Sequence, residues 1–306
     1  MKKCIIFVSS IFVCLLFAKA DYADFSISKK LLSSDPANYD NFGKSVSIAG
    51  DYAIIGVSED ADNGNFSGSA YIFKRSGKNW VEQDKLIASD GTDIDLFGNS
   101  VSISGDYAII GADHDDDNGN NTGSAYIFKR SGENWVQQDK LIASDGAEIT
   151  YLGRSVSICG DYAITGSYHD DDNGSGSAFI FKRSGEDWVQ QDKIIASDGA
   201  SYDNFGNSVS ISGNFAIIGA SCDDDNGNNS GSAYIFKRSG KNWVELDKLI
   251  ASDGTETAYF GNSVSISGGY AIIGAFLDDD TGRYSGSAYI YKRQFSNPGI
   301  NLLLLE

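Results

Sequence analysis

The pair Phe-Gly, or its equivalent, recurs five times, at Phe42-Gly43, Phe97-Gly98, Leu152-Gly153, Phe205-Gly206 and Phe260-Gly261, in steps of 55, 55, 53 and 55 residues. Each copy reads approximately FGNSVSISGDYAIIGAxxDDDNGxxSGSAYIFKRSGxNWVxQDKLIASDG. A unit of this size cannot bury an apolar face alone and must stack on its neighbours. A length of 306 residues by itself suggests about two domains, but the repeat overrules that prior. Four strands are predicted in the second copy: Ser100 to Ser104, Tyr107 to Ala112, Ser124 to Arg130, and Trp135 to Ser144. β-branched and aromatic residues fill them, and Gly, Asp and Asn fill the turns between. The first two strands are apolar or small on both faces, as in stacked sheets. The fourth mixes in polar residues, as an outer edge strand does. Four antiparallel strands per unit, repeated radially, predict an all-β fold, a β-propeller. Solenoid rungs of about 20–30 residues are shorter.

The ends of the chain predict how the ring closes. The last copy stops after its third strand, at Lys292-Arg293, with no Trp strand. When Asp35 is aligned with Asp90, Phe25 falls at the place of Trp80, Lys30 at Lys85, and Leu31-Leu32 at Leu86-Ile87. Five four-stranded blades are therefore expected, closed by the N-terminal strand in the last blade. Residues 1–20 read as a signal peptide: Lys2 and Lys3, a short apolar run, and Ala18-Lys19-Ala20 before Asp21. That leaves the propeller at 21–293 and a short tail at 294–306.

Charge narrows the partners. The formal net charge is −18, and −21 with residues 1–20 set aside. Nucleic acid is excluded, because phosphate binding needs a cationic surface, and an anionic membrane face is disfavoured on the same ground. No membrane span is expected in the mature chain. Only Cys159 and Cys222 lie beyond the leader, at non-equivalent repeat positions, so no disulfide framework is expected.

The recurring units resemble FG-GAP repeats, the blades of the integrin α-subunit propeller, from Phe25 to Arg293. The GAP element stands as Gly56-Val57-Ser58, Gly111-Ala112-Asp113, Gly166-Ser167-Tyr168, Gly219-Ala220-Ser221 and Gly274-Ala275-Phe276, never with its Pro. The resemblance implies a secreted or cell-surface recognition module, as in adhesion, and rings of that family usually have seven blades. It also implies a calcium loop between the first and second strands. Here that connection is only Gly50-Asp51, Gly105-Asp106, Gly160-Asp161, Gly213-Asn214 or Gly268-Gly269, too short to wrap an ion with 6–8 oxygens.

Strand alternation sends the two-to-three loops and the four-to-one loops to one face, and 27 of the 42 acids lie in them. The Lys-Arg pairs, such as Lys74-Arg75 and Lys129-Arg130, fall on the other. Alternating carboxylates followed by Gly recur as Asp60 and Asp62, Asp115 and Asp117, Asp170 and Asp172, Asp223 and Asp225, and Asp278 and Asp280. They are either solvated loops or sites for a hard cation, with calcium the expected one. Sequons at Asn65, Asn120, Asn173 and Asn228 are glycosylation sites if the chain is made in a eukaryotic secretory pathway. His114 and His169 read as exposed loop residues, and Trp80, Trp135, Trp188 and Trp243 as packing between blades. No nucleophile elbow or blade-specific acid pair marks an enzyme. The expected function is a secreted or extracellular-surface binding module, monomeric, periplasmic if the source is bacterial, that recognises an extracellular protein or glycan through the acidic loop face. The alternative is a secreted hydrolase or lyase acting on polysaccharide.

Overall fold

The computed structural model describes residues 29–144, 149–170 and 174–293. It is all-β, with five antiparallel sheets arranged as the blades of a five-bladed propeller. The first blade holds β1 (Ser45–Ala49), β2 (Tyr52–Val57), β3 (Ser69–Ser76) and β4 (Asn79–Leu86). The second holds β5 (Ser100–Ser104), β6 (Tyr107–Ala112), β7 (Ser124–Ser131) and β8 (Asn134–Leu141). The third holds β9 (Ser155–Cys159), β10 (Tyr162–Ser167), β11 (Ser177–Ser184) and β12 (Asp187–Ile194). The fourth holds β13 (Phe205–Ser212), β14 (Phe215–Ala220), β15 (Ser232–Ser239) and β16 (Asn242–Leu249). The last holds β17 (Phe260–Ser267), β18 (Tyr270–Ala275) and β19 (Ser287–Lys292). Its expected fourth strand, around Phe25, lies outside the described residues, as do the leader at 1–20 and the tail from residue 294.

The strands are those the repeat predicts, with one shortening. The outer strand of the second blade ends at Leu141 rather than Ser144. The Ser144 N–H donates instead to Gln190 Oε1 of the next blade, at 3.0 Å, which draws the chain across. A bulge in each complete outer hairpin, between Ile127 and Phe128 in the second blade, strengthens its twist.

Packing runs face to face. Ile54, Ala70 and Ile72 of the first blade bury against Val101, Ile103, Tyr126 and Phe128 of the second. Full burial of each aliphatic side chain stabilises by about 1.5–3 kcal/mol. Trp135, Trp188 and Trp243 do pack between blades, edge-on to Tyr52, Tyr107 and Tyr162. The Ser-Val-Ser-Ile-Ser inner strands follow from period-two alternation. Val101 and Ile103 point into the interface, and the Ser47 hydroxyl accepts the Ile103 N–H of the next blade at 3.2 Å. The same serine contact recurs at Ile158, Ile211 and Ile266. It satisfies inner-edge N–H groups that no strand covers.

The Phe-Gly and Gly-Ala elements have one steric purpose. Gly98 adopts a φ of 93° and donates its N–H to Gly111 O at 2.9 Å. The Gly153 carbonyl of the following blade then comes so close that a methyl on Gly111 would lie 2.0 Å from it. Ser100 Oγ donates to that carbonyl at 2.7 Å. The motif therefore sets how closely successive blades approach.

Candidate functional site

The paired aspartates of the long loops do converge, and they converge on a lysine. In the first blade Lys85 Nζ donates to Asp35 at 2.7 Å, Asp60 at 2.8 Å and Asp62 at 2.5 Å. Lys140 makes the same three contacts with Asp90, Asp115 and Asp117, each at 2.8 Å. Lys248 lies 2.8, 2.8 and 2.6 Å from Asp198, Asp223 and Asp225. Lys193 pairs with Asp170 at 2.7 Å. Asp172 and the sequon Asn173 lie outside the described residues. Burial opposes the charge on Lys85, yet hydrogen bonds to Asp35, Asp60 and Asp62 hold its pKa well above the ordinary lysine range. Lys85 and then the Tyr71 hydroxyl hold Asp35 below the usual carboxylate range. In the last blade Asp253 and Asp278 share the Tyr289 hydroxyl at 2.9 and 2.8 Å. No lysine reaches that group among the described residues. There Asp278 first, and then burial, raise the Asp280 carboxyl.

The turns where the resemblance places a calcium loop do not fit such an ion. Asp51, Asp106 and Asp161 each stand in a two-residue turn, paired with Arg75, Arg130 and Arg183 respectively. Asn65, Asn120 and Asn228 are exposed on the loops.

Two features of the loop face carry a binding chemistry that the repeat consensus lacks. The residue after each Phe-Gly pair turns toward the axis, so Lys44, Asn99, Arg154, Asn207 and Asn262 line one polar pocket of about 250 Å³. Beside it the repeat is broken. Tyr151 and Tyr168 stack with ring centres 5.3 Å apart. His114 meets Tyr151 edge-on at 5.2 Å, and His169 meets Tyr168 at 5.0 Å. Arg154 belongs to both features: its guanidinium lies over Tyr168, 5.6 Å from the ring centre, and 3.4 Å from Asp113. Asp113 is 1 % exposed and also accepts the Asn99 amide at 3.2 Å, so it anchors this edge of the pocket. His169 and Arg154 are exposed and both tyrosines half-buried, so the patch is open to a ligand.

The left-handed backbone at Tyr151, φ 56°, is no mark of function. Asn41, Leu96, Asn204 and Tyr259 hold the same place with φ between 56° and 60°. It is part of how every four-to-one loop turns. Sequence reasoning left the two histidines as separate loop residues and did not single out Tyr151 or Tyr168 as binding residues. The signal that could have found them is departure from the consensus: Leu152 and Arg154 are unlike their counterparts, and Tyr168 has an aromatic counterpart only in Phe276, which meets Tyr259 at 5.5 Å.

Comparison with protein families matches the FG-GAP repeat five times, over residues 25–73, 80–128, 135–181, 188–236 and 243–291. A search of curated proteins returned no similar protein. Among the described residues no helix is long and apolar enough to cross a membrane.

Proposed function

Because the chain belongs to the FG-GAP repeat family, we propose that it is an extracellular or surface binding module, of the kind that serves adhesion, taking its ligand on the acid-rich loop face. The site is the tyrosine-histidine patch together with the axial pocket. The observation that carries this reading is Arg154, shared between the stacked Tyr168 ring and the pocket that also holds Lys44. Half-buried tyrosine rings with open edges, beside two cations, suit a sugar bearing a carboxylate, with the ring packed against tyrosine and the acid on arginine. A protein ligand presenting an acidic side chain on an apolar turn would use the same groups. Binding is favoured over turnover because, in the first four blades, lysines engage the convergent carboxylates that a glycosidase would need as acid and base.

A glycan array and titration calorimetry on the purified chain test the proposal. Arg154→Ala and Tyr168→Ala should each weaken binding about tenfold or more, the loss of roughly 1.4 kcal/mol, when binding is read well below each variant's own unfolding midpoint. Binding indifferent to both substitutions would place the ligand elsewhere.

A further inference from the structure

The aromatic pair of the third blade has a counterpart in the last. Tyr259 holds the repeat position of Tyr151, one residue before the Phe-Gly pair. Phe276 holds that of Tyr168, two residues after Gly274 as Tyr168 follows Gly166. The rings of Tyr259 and Phe276 lie 5.5 Å apart, tilted by 40°. Phe276 is 52 % exposed and Tyr259 half-buried, so this pair also presents aromatic surface to water.

The fold does not require these rings. The same two positions hold Asn41 and Ser58 in the first blade, and Asn204 and Ser221 in the fourth. Both of those blades form the same four-stranded sheet. Their loops turn through the same left-handed backbone, with φ of 60° at Asn41 and 59° at Asn204 against 56° at Tyr259. Asparagine enters that region more readily than tyrosine. In the second blade the positions hold Leu96 and Asp113, and Asp113 is engaged by Arg154 and Asn99. The two positions thus change together: tyrosine comes with an aromatic partner, asparagine with serine. Rings that the scaffold can replace by Asn and Ser, yet holds at the surface of its loops, serve contact rather than packing.

Both pairs border one pocket. Arg154 follows Tyr151 by three residues, Asn262 follows Tyr259 by three, and Arg154 and Asn262 line the axial pocket together. The fourth blade stands between the two pairs, and its Asn207 lines the same pocket. Amide groups both donate to and accept from hydroxyls, and the Lys44 and Arg154 cations suit carboxylates. Aromatic surface, a polar cationic pocket and aromatic surface again match a polymer that repeats ring faces with hydroxyls and acids between them. A protein turn bearing one apolar side chain and one acid would fill only the half at the third blade. We infer that Tyr259 and Phe276 form a second sugar subsite, and that the ligand is a linear acidic glycan laid across the axial pocket from the third blade to the last. This rests on the acidic-sugar reading of the Arg154 site and adds the extent and path of the ligand.

Calorimetric titration of the full chain with linear uronic-acid oligomers, from monomer to octamer, of galacturonate and of mannuronate tests the second subsite. Affinity should rise about tenfold or more once an oligomer is long enough to engage both aromatic pairs. Phe276→Ser and Tyr259→Asn each supply the residue that the first and fourth blades carry at that position. Each should abolish the gain with length and leave binding of the monomer unchanged, whereas Arg154→Ala should weaken binding of monomer and oligomer alike. An affinity that does not depend on length, or a gain that survives both substitutions, would overturn the second subsite and leave the Arg154 site standing. Failure of every acid in both series to bind the unaltered chain would overturn both readings.

Discussion

Lys140 Nζ lies 2.8 Å from Asp115 Oδ2, on a carboxylate that is 1 % exposed, and the same oxygen accepts the Tyr126 hydroxyl at 2.5 Å. An acid that far from water is tolerated only when paired and hydrogen-bonded. Burial first, and then the Asp115 charge, raise the Tyr126 hydroxyl well above the ordinary tyrosine range, so the phenol stays a donor. Lysine, aspartate and tyrosine together turn an acidic loop into a neutralised structural node.

Lys140→Met should therefore destabilise sharply. Stranding a buried charge costs about 3–5 kcal/mol, and less here because the lysine side chain remains 20 % exposed. Urea denaturation measures it. Adding Asp115→Asn should recover part of the loss, because the neutral amide needs no counter-charge.

Chelation should leave the fold untouched. Where a lysine already supplies the cation, EDTA or millimolar calcium should not move the unfolding midpoint. A calcium ion bound at a hundred times its dissociation constant would add about 2.7 kcal/mol. A rise in midpoint with calcium would mean that the ion enters among Asp253, Asp278 and Asp280, which no lysine reaches among the described residues, or displaces the ammonium from Asp60, Asp115 or Asp223.

Gly111→Ala should loosen the contact between the second and third blades. The new methyl would sit 2.0 Å from the Gly153 carbonyl and 2.4 Å from Ser100 Oγ. Overpacking of this kind costs about 1–3 kcal/mol. Gly132→Ala makes the control: a β-carbon there has no atom within 4 Å, so its cost is only that of a φ of 66°.

Asp203 should make stability fall as pH rises. Burial first, and then the nearby Asp223 and Asp224 charges, push it up to about 6. A folded-state value above the unfolded one means that the stabilisation is complete below about pH 4. It is lost as pH climbs through about 6. Asp203→Asn should flatten stability over that window by an amount on the order of 2 kcal/mol. Asp35, held low by Lys85, acts in the opposite sense and loses its contribution only as pH falls below about 4. Thermal melts across pH 3 to 8 separate the two.

The repeat alone determined the blades. Period-two alternation and Gly turns are local signals, so the strand sequence from Ser45 to Lys292 could be read directly from the residues. The lysine nodes were half legible. Lys85, Lys140, Lys193 and Lys248 recur in step with the acids, yet only the bulged outer hairpin swings each ammonium over the loop of its own blade. The carboxylates were visible as convergent without revealing what they converge on. The tyrosine-histidine patch was not legible. Its two histidines share one repeat position but Tyr151 and Tyr168 come from two others, and neighbours such as His114 and Tyr151 stand 37 residues apart in sequence. Only stacking the second blade on the third brings them within ring contact. Sequence determines what each unit can bury, because burial of one face is a local pattern; tertiary packing decides which exceptions to that pattern meet, because contact across blades depends on the rotation from one sheet to the next.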